Sequence, residues 1–329
     1  MLSRSSHYDP GLMPDELSAV LQDLRLSGAH YCRCEISEPW GIELPARREA
    51  TFHFVVDGRC WLVTGTEEPI MLEAGDFVLL PQGGTHQLVA TLGAKTRRIE
   101  ELSPERLGDT TYRLHTGGRG RRSLLVCCGV TFQEPAVHPL LELMPPVLVV
   151  RARGGHEPTL PSLLDAMADE VSAQRVGAAT VMTRLADIII TRVLRVWVES
   201  RGGAATGWPA AIRDPQIGRA LAAFHRQPRK AWSLPALAGI AHLSRSAFSR
   251  RFTSALGVPP AKYIARWRMH LASGWLRAER LTIAQIATRL GYQSEASFSR
   301  TFKRFLGASP SAFRTNPAAA RSAGSKRAR

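Results

Sequence analysis

The chain has 329 residues, 44% of them hydrophobic, with 43 Lys and Arg against 28 Asp and Glu. That length allows two or three ordinary hydrophobic cores, and with 5 cysteines it excludes the small disulfide-stapled class. No run approaches the roughly 20 apolar residues of a membrane span, and the first residues lack the apolar stretch of a secretory signal, so a soluble, cytoplasmic protein is expected. The charge is divided unevenly. From Arg213 onward there are 22 Lys and Arg but 3 Asp and Glu, a balance of +19, whereas residues 1–212 hold 21 and 25, or −4. A mildly acidic part is joined to one that repels itself and gains by neutralising a polyanion.

In chain order, residues 14–28 (PDELSAVLQDLRLSG) put Leu17, Val20, Leu21 and Leu24 on one helical stripe. The texture then changes. HYCRCEI, ATFHFVVDGRCWLVTG, PIMLEAGDFVLLPQGGTHQLV, TYRLHTG and SLLVCCGVTF are short β-branched and aromatic runs punctuated by Gly, Pro and Asp, the pattern of an antiparallel sandwich or barrel. Gly117–Arg122 reads as a flexible basic turn, since no helix follows it to cradle a phosphate. Residues 161–199 read as two helices broken at Gly177. The second carries Val181, Leu185, Ile188, Ile189, Val193, Val196 and Trp197, a stripe that either a second copy of the chain or the protein's own sheet can cover. Residues 200–209, rich in Gly and Ala, mark a domain boundary.

The basic part holds a repeat. Aligning residues 244–263 with 294–313 at an offset of 50 matches Phe248 with Phe298, Ser249 with Ser299, Arg250 with Arg300, Phe252 with Phe302, Leu256 with Leu306, Gly257 with Gly307 and Pro260 with Pro310. Two copies of one small unit rarely arise by chance. In the second copy Ile283, Ile286, Ala287 and Leu290 form one helical stripe, Gly291 turns the chain, and Phe298, Phe302, Phe305 and Leu306 form the next. Each copy is therefore helix, turn, helix. Between them, residues 261–280 read as one long helix able to fix the spacing of the copies, with Ile264, Trp267, Leu271 and Trp275 inward.

These residues carry a resemblance. The second copy, I-A-x-x-x-G-Y followed by F-S-R-x-F-K-R-x-x-G-x-S-P-x-x-x-R from Ile286 to Arg314, resembles the DNA-binding domain of AraC/XylS-type transcription regulators. Upstream, PWG at residues 39–41, FHFVVDGRCWL, GDFVLLPQGGTH and Cys128-Gly129 resemble the cupin-type sensor domain of one branch of that family. The resemblance implies a multidomain α+β fold: a cupin-like β jelly roll over 1–155, a helical linker or dimerisation segment over 156–200, a flexible linker over 201–212, an all-α domain with two helix-turn-helix units over 213–316, and a disordered basic tail over 317–329. It also implies that the second helix of each unit enters a major groove about 34 Å from the other. By motif position, Ser246, Ser249 and Arg250 in the first unit, and Glu295, Ala296, Ser299 and Arg300 in the second, face base edges. Arg245, Arg251, Lys303 and Arg304 suit phosphates, and Ser244, Gln293, Ser294 and Ser297 complete the contact set.

The expected partners are double-stranded DNA at a promoter or operator, RNA polymerase, a small-molecule or oxidant effector and a second copy in a homodimer; no membrane and no cofactor are expected. GxSxG, Walker A and HExxH are absent, so no catalytic residue is named. The rival reading is a cupin-type metalloenzyme with an accessory basic domain, and it meets a depleted site. The glutamate of the first cupin motif falls on Thr51 and its histidines fall on residues 44–47, LPAR. His53 and His86 could converge, with Cys128 as a third group, but two imidazoles fall short of the usual three or four protein ligands, so no metal is expected. His53, His86 and Trp61 are read instead as lining an effector pocket. Cys32, Cys34, Cys60, Cys127 and Cys128 are read as buried thiols acting as small hydrophobes, with a redox sensor as the alternative.

Overall fold

A computed structural model describes residues 26–132, 141–152, 159–199, 207–278 and 281–315, apart from 48, 66, 142, 174, 228, 229 and 231. The chain divides into two compact units, one holding the sheets with the two helices that follow them, the other the helices from Trp208 onward.

In the first unit the strands are β1 (Leu26–Ser37), β2 (Gly41–Leu44), β3 (Ala50–Asp57), β4 (Arg59–Thr64), β5 (Ile70–Glu73), β6 (Phe77–Leu80), β7 (His86–Val89), β8 (Arg97–Arg98), β9 (Glu105–Arg106), β10 (Thr111–Gly117), β11 (Arg122–Phe132) and β12 (Leu148–Val150). One sheet runs β12-β6-β3-β11-β1-β10-β9 and the other β5-β4-β7-β2-β8. Strand alternation aims Cys34, Ile36, Val55, Val78 and Leu125 of the first sheet at Ile42, Cys60, Leu62, Leu72 and Leu88 of the second, making one core between the layers. The Gly75-Asp76 turn locks a corner of this jelly roll. Asp76 is buried and accepts from Glu73 N at 3.0 Å, Ala152 N at 3.0 Å and Arg151 Nη1 at 2.7 Å.

Two helices, α1 (Leu160–Ala173) and α2 (Ala178–Glu199), pack on each other and on the outer face of β1. They bury Leu164, Met167, Val171, Met182, Ala186, Ile189 and Val193, each large apolar side chain worth about 1.5 to 3 kcal/mol. Of the stripe that suggested a dimer, Ile189 and Val193 are buried, Leu185, Val196 and Trp197 are half-buried, and Val181 and Ile188 stay exposed. Residues 26–28, expected to end a helix, instead open β1, and 14–25 lie outside the described residues. The Gly117–Arg122 turn is tight and lies against the end of β1. Gly118 N and Gly120 N donate to Ser37 O and Glu38 O at 2.8 and 2.9 Å, and at Gly117, with φ of 105°, a Cβ would collide with Ser37 O.

The second unit comprises α3 (Trp208–Arg213), α4 (Pro215–Arg226), α5 (Leu234–Ile240), α6 (Arg245–Leu256), α7 (Pro260–Ala278), α8 (Ile283–Arg289), α9 (Glu295–Leu306) and α10 (Pro310–Thr315). Helix begins at Trp208, inside the segment expected to be linker. The reason is packing: Trp208 is buried and its Nε1 donates to the Tyr263 hydroxyl at 3.1 Å. One end of the domain core gathers Phe224, Phe248, Phe252, Tyr263 and Trp267; the other gathers Met269, Leu276, Ile286, Leu290, Phe298, Phe302 and Phe313. The long helix α7 touches both α6 and α9, so one rigid rod carries both helix pairs. The basic tail over 317–329 lies outside the described residues.

Candidate nucleic-acid interface

Each second helix is started by a serine. Ser244 Oγ accepts from Ala247 N at 3.3 Å and Ser294 Oγ from Ser297 N at 3.2 Å, caps worth about 1 kcal/mol each. Both helices stop at a left-handed glycine, Gly257 and Gly307, with φ of 71° and 79°. Phe248 and Phe252 sink inward with ring centroids 5.5 Å apart, and Phe298 and Phe302 do the same at 5.6 Å. The turns also match bond for bond. His242 N and Leu243 N donate to Gly239 O and Ala238 O at 3.0 and 2.9 Å; Gly291 N and Tyr292 N donate to Thr288 O and Ala287 O at 3.0 and 2.9 Å.

With the same face sunk in both units, the same face is left bare. Arg245, Ser246 and Arg250 on α6, Gln293 before α9, and Glu295, Ala296, Arg300, Lys303 and Arg304 on α9 are exposed; Ser249, Ser297 and Ser299 are half-buried. Two members of the contact set already have local tasks, because the Ser244 and Ser294 hydroxyls are caps. Arg251 differs more. Its Nε donates to Asp214 Oδ2 at 2.5 Å and its Nη1 to Gln216 Oε1 at 2.6 Å, so its guanidinium is paired within the domain although the side chain is exposed. Burial pushes the Asp214 carboxyl up, but Arg251 and the N–H groups of Ile217 and Gln216 outweigh that and hold it below its ordinary value. The Asp214-Pro215 pair marks a helix start in the sequence, yet nothing local reveals a partner on α6.

In the jelly roll, His53 and His86 meet between the sheets, Nε2 to Nε2 at 2.8 Å, while His86 Nδ1 lies 2.7 Å from Gly84 O. A carbonyl only accepts, so His86 Nδ1 carries the proton, His86 Nε2 accepts, and His53 Nε2 donates. That leaves His53 Nδ1 as a buried acceptor without a hydrogen-bond partner. Burial and the neighbouring His86 hold the His53 pKa well below its ordinary value, and burial lowers that of His86. Cys128 does not join them. The β3–β11 register sets Cys127 opposite His53 and Cys128 opposite Phe52, so Cys128 lies on the other face of the sheet. Among the described residues no three His, Cys, Asp or Glu converge where they could hold a metal ion.

A cavity of about 290 Å³ lies elsewhere in the barrel, lined by Cys32, Cys34, Cys127, Arg47, Glu49 and Thr51 among others. His53, His86 and Trp61 are not on its wall. For Trp61 the reason is alternation, since Cys60 and Leu62 on either side of it point into the core. Cys34 Sγ is 3.6 Å from Cys32 Sγ and 3.7 Å from Cys127 Sγ. The contact with Cys127, then burial, raises the Cys34 pKa well above its ordinary value; the contact with Cys34, then burial, raises that of Cys32. Cys60 is buried apart from this trio, its thiol pushed up to about 12 by burial. Thr51 and Arg47 stand where the first cupin motif would place its glutamate and its histidine region, Glu49 carried no motif, and all three line the cavity beside the thiols.

Known proteins share both parts of this build. The Cupin family matches residues 15–199, and the Helix-turn-helix domain family matches residues 237–316. A cupin-type domain followed by this helical domain defines a DNA-binding transcription regulator. An AraC-like transcription regulator of Streptomyces lividans is 34% identical over 283 residues, 84% of this chain and 90% of that protein. Another, from Streptomyces antibioticus, is 33% identical over 283 residues, 84% and 91% of the two chains. An HTH-type transcriptional regulator of Haemophilus influenzae is 27% identical over 303 residues, 91% and 98% of the two chains. The chain belongs to the AraC-like transcription regulators with a cupin-type N-terminal domain. These relatives are regulators, and the metalloenzyme alternative is not favoured.

Proposed function

We propose that α6 and α9 enter neighbouring major grooves of one promoter, with Ser246, Ser249 and Arg250, and Glu295, Ala296, Ser299 and Arg300, at the base edges. The observation that carries this reading is the matched bare face of the two helices, on which Arg250 and Arg300 stand exposed at equivalent positions. Arginine bonds guanine O6 and N7 together, and glutamate accepts from cytosine N4. Arg245, Lys303 and Arg304 suit phosphates, which supply much of the affinity and its salt dependence. The small Ser246, Ala296 and Ser299 leave part of the readout to DNA shape.

The cupin-type domain is the sensor in this reading, and its ligand site is the cavity. About 290 Å³ sits at the lower edge of the roughly 300 to 1,000 Å³ of typical ligand sites, which favours a compact small molecule. A second reading, an oxidant that joins Cys34 to Cys127 or Cys32, is favoured by the sulfur contacts of 3.7 and 3.6 Å, although thiols held protonated are slow nucleophiles. A homodimer through α2 belongs to the reading because Val181 and Ile188 stay exposed there; sedimentation of a monomer at micromolar concentration removes it. RNA polymerase is the partner that a regulator seated at a promoter acts on, in the cytoplasm. Among the described residues no helix is long and apolar enough to cross a membrane.

The experiment is selection of sites from random oligonucleotides by the full chain, with and without oxidant and candidate small molecules. One enriched motif with two parts about 34 Å apart is expected. No enrichment leaves a non-specific architectural binder. Binding unmoved by oxidant, with all thiols still titratable afterwards, removes the redox reading.

A further inference from the structure

We propose that Asp214 is a positioning residue for DNA recognition: through Arg251 it holds α6 in the orientation that presents Arg250 and Ser246 to the groove. The inference rests on the reading that α6 contacts bases.

Arg250 and Arg251 are neighbours in sequence with different surroundings. Arg251 is gripped at two points, Nε by Asp214 Oδ2 at 2.5 Å and Nη1 by Gln216 Oε1 at 2.6 Å. A planar guanidinium held twice has its direction fixed as well as its distance. The grip is anchored in turn. Asp214 Oδ1 accepts from Gln216 N and Ile217 N at 2.9 and 3.1 Å, and Asp214 O accepts from Gly218 N at 2.7 Å. Behind this corner a Cβ at Gly218 would stand 2.7 Å from Ile212 O, so the α3–α4 junction is close-packed. Arg251 therefore ties the reading helix to a rigid corner outside its own helix-turn-helix unit. At the matching position of the second unit the described residues show a different arrangement. Thr301 stands where Arg251 stands in the first, and its hydroxyl donates to Ser297 O of its own helix at 3.0 Å.

Asp214→Asn separates capping from gripping, because asparagine caps as well as aspartate but offers Arg251 no charge. The full chain is titrated against its selected operator and against random duplex, over about 50 to 200 mM salt. Operator affinity is expected to fall about tenfold, the scale of one lost base contact, with the loss concentrated at the base pair that Arg250→Ala relaxes. Affinity for random duplex is expected to hold or rise, since a negative charge near the phosphates is gone and Arg251 is released to them. A merely structural or electrostatic role predicts otherwise: a parallel change on both DNAs, leaving their ratio unmoved, overturns the proposal. Arg251→Gln is expected to lower the ratio equally and the double variant to add nothing; if Asp214→Asn does not fold by circular dichroism, Arg251→Gln decides alone. Arg250→Ala is the control for the underlying reading. If it relaxes no position, base readout by α6 fails; if it does while Asp214→Asn and Arg251→Gln leave the ratio intact, the positioning role alone fails.

Discussion

His242 and Gly291 occupy the same place in the two turns, and both are left-handed, with φ of 54° and 74°. The hydrogen bonds on either side are the same, so the conformation is demanded by the motif rather than chosen by the residue. An L-residue with a side chain pays about 1 to 2 kcal/mol there. Gly291→Ala is expected to lose about that much stability. His242→Gly is expected to gain less than about 1 kcal/mol, because glycine also loses more entropy on folding. Urea midpoints followed by the helix signal check both. A Gly291→Ala variant as stable as the parent would mean that the turn relaxes and the strain is not held.

The same comparison says what is legible in a sequence. The repeat discloses the recognition helices because Phe248 and Phe298, with Gly257 and Gly307, are local requirements of packing and of termination. Likewise β3, β4, β5, β6, β7, β10 and β11 fall inside the β-branched and aromatic runs, while β2, β8, β9 and β12 lie outside them. What fails is whatever depends on register or on distant partners. Cys128 is one residue out of phase with His53, and Trp61 is one out of phase with Cys60. Asp214 finds Arg251 only after three helices have packed. A period of two reports that neighbours differ, and only the folded sheet says which of them faces in.

The His53–His86 contact is a buried neutral pair, and such pairs are coupled. His53→Leu removes the donor to His86 Nε2, and an unsatisfied buried group costs about 1 to 3 kcal/mol. His86→Leu strands the His53 N–H and leaves Gly84 O without its donor. The double variant removes both ends of the contact, so its cost is expected to fall short of the sum by about 1 to 2 kcal/mol. Denaturant unfolding of the four proteins at pH 7.5 measures this, and strict additivity would show that the imidazoles do not depend on each other.

On the DNA side, Arg300 and Lys303 lie on one exposed face but have different expected tasks. Arg300→Ala is expected to cost about 1 to 3 kcal/mol on the selected operator and to relax one base position. Lys303→Ala is expected to weaken all duplexes alike and to reduce the salt slope by about 1. Binding titrations at several salt concentrations, on the operator and on its single-position variants, separate them. Equal losses for Arg300→Ala on operator and random DNA would assign it to the backbone.

The helical domain should also be sensitive to acid through His225 and His270. His225 stands among Trp208, Phe224, Tyr263 and Trp267, with its Nε2 2.9 Å from the Tyr263 hydroxyl, which already accepts from Trp208 Nε1. Which of the two groups donates in that contact depends on the His225 tautomer. Burial lowers the pKa of His225 to about 3 and that of His270 to about 4, against about 6.5 in the unfolded chain. Because the folded values are depressed, the unfolded state takes up protons first as the pH drops. Stability is full above about pH 6.5, then declines by about 1.4 kcal/mol per pH unit for each group until the folded pKa values are reached. Between pH 7.5 and 5.5 the two groups together are expected to remove about 3 kcal/mol. His225→Gln keeps a hydrogen-bond partner for Tyr263 without a titrating ring, so it is expected to cut that decline by about half. Unfolding midpoints of the helical domain at the two pH values check this, and an undiminished decline in His225→Gln would assign the acid response to other groups.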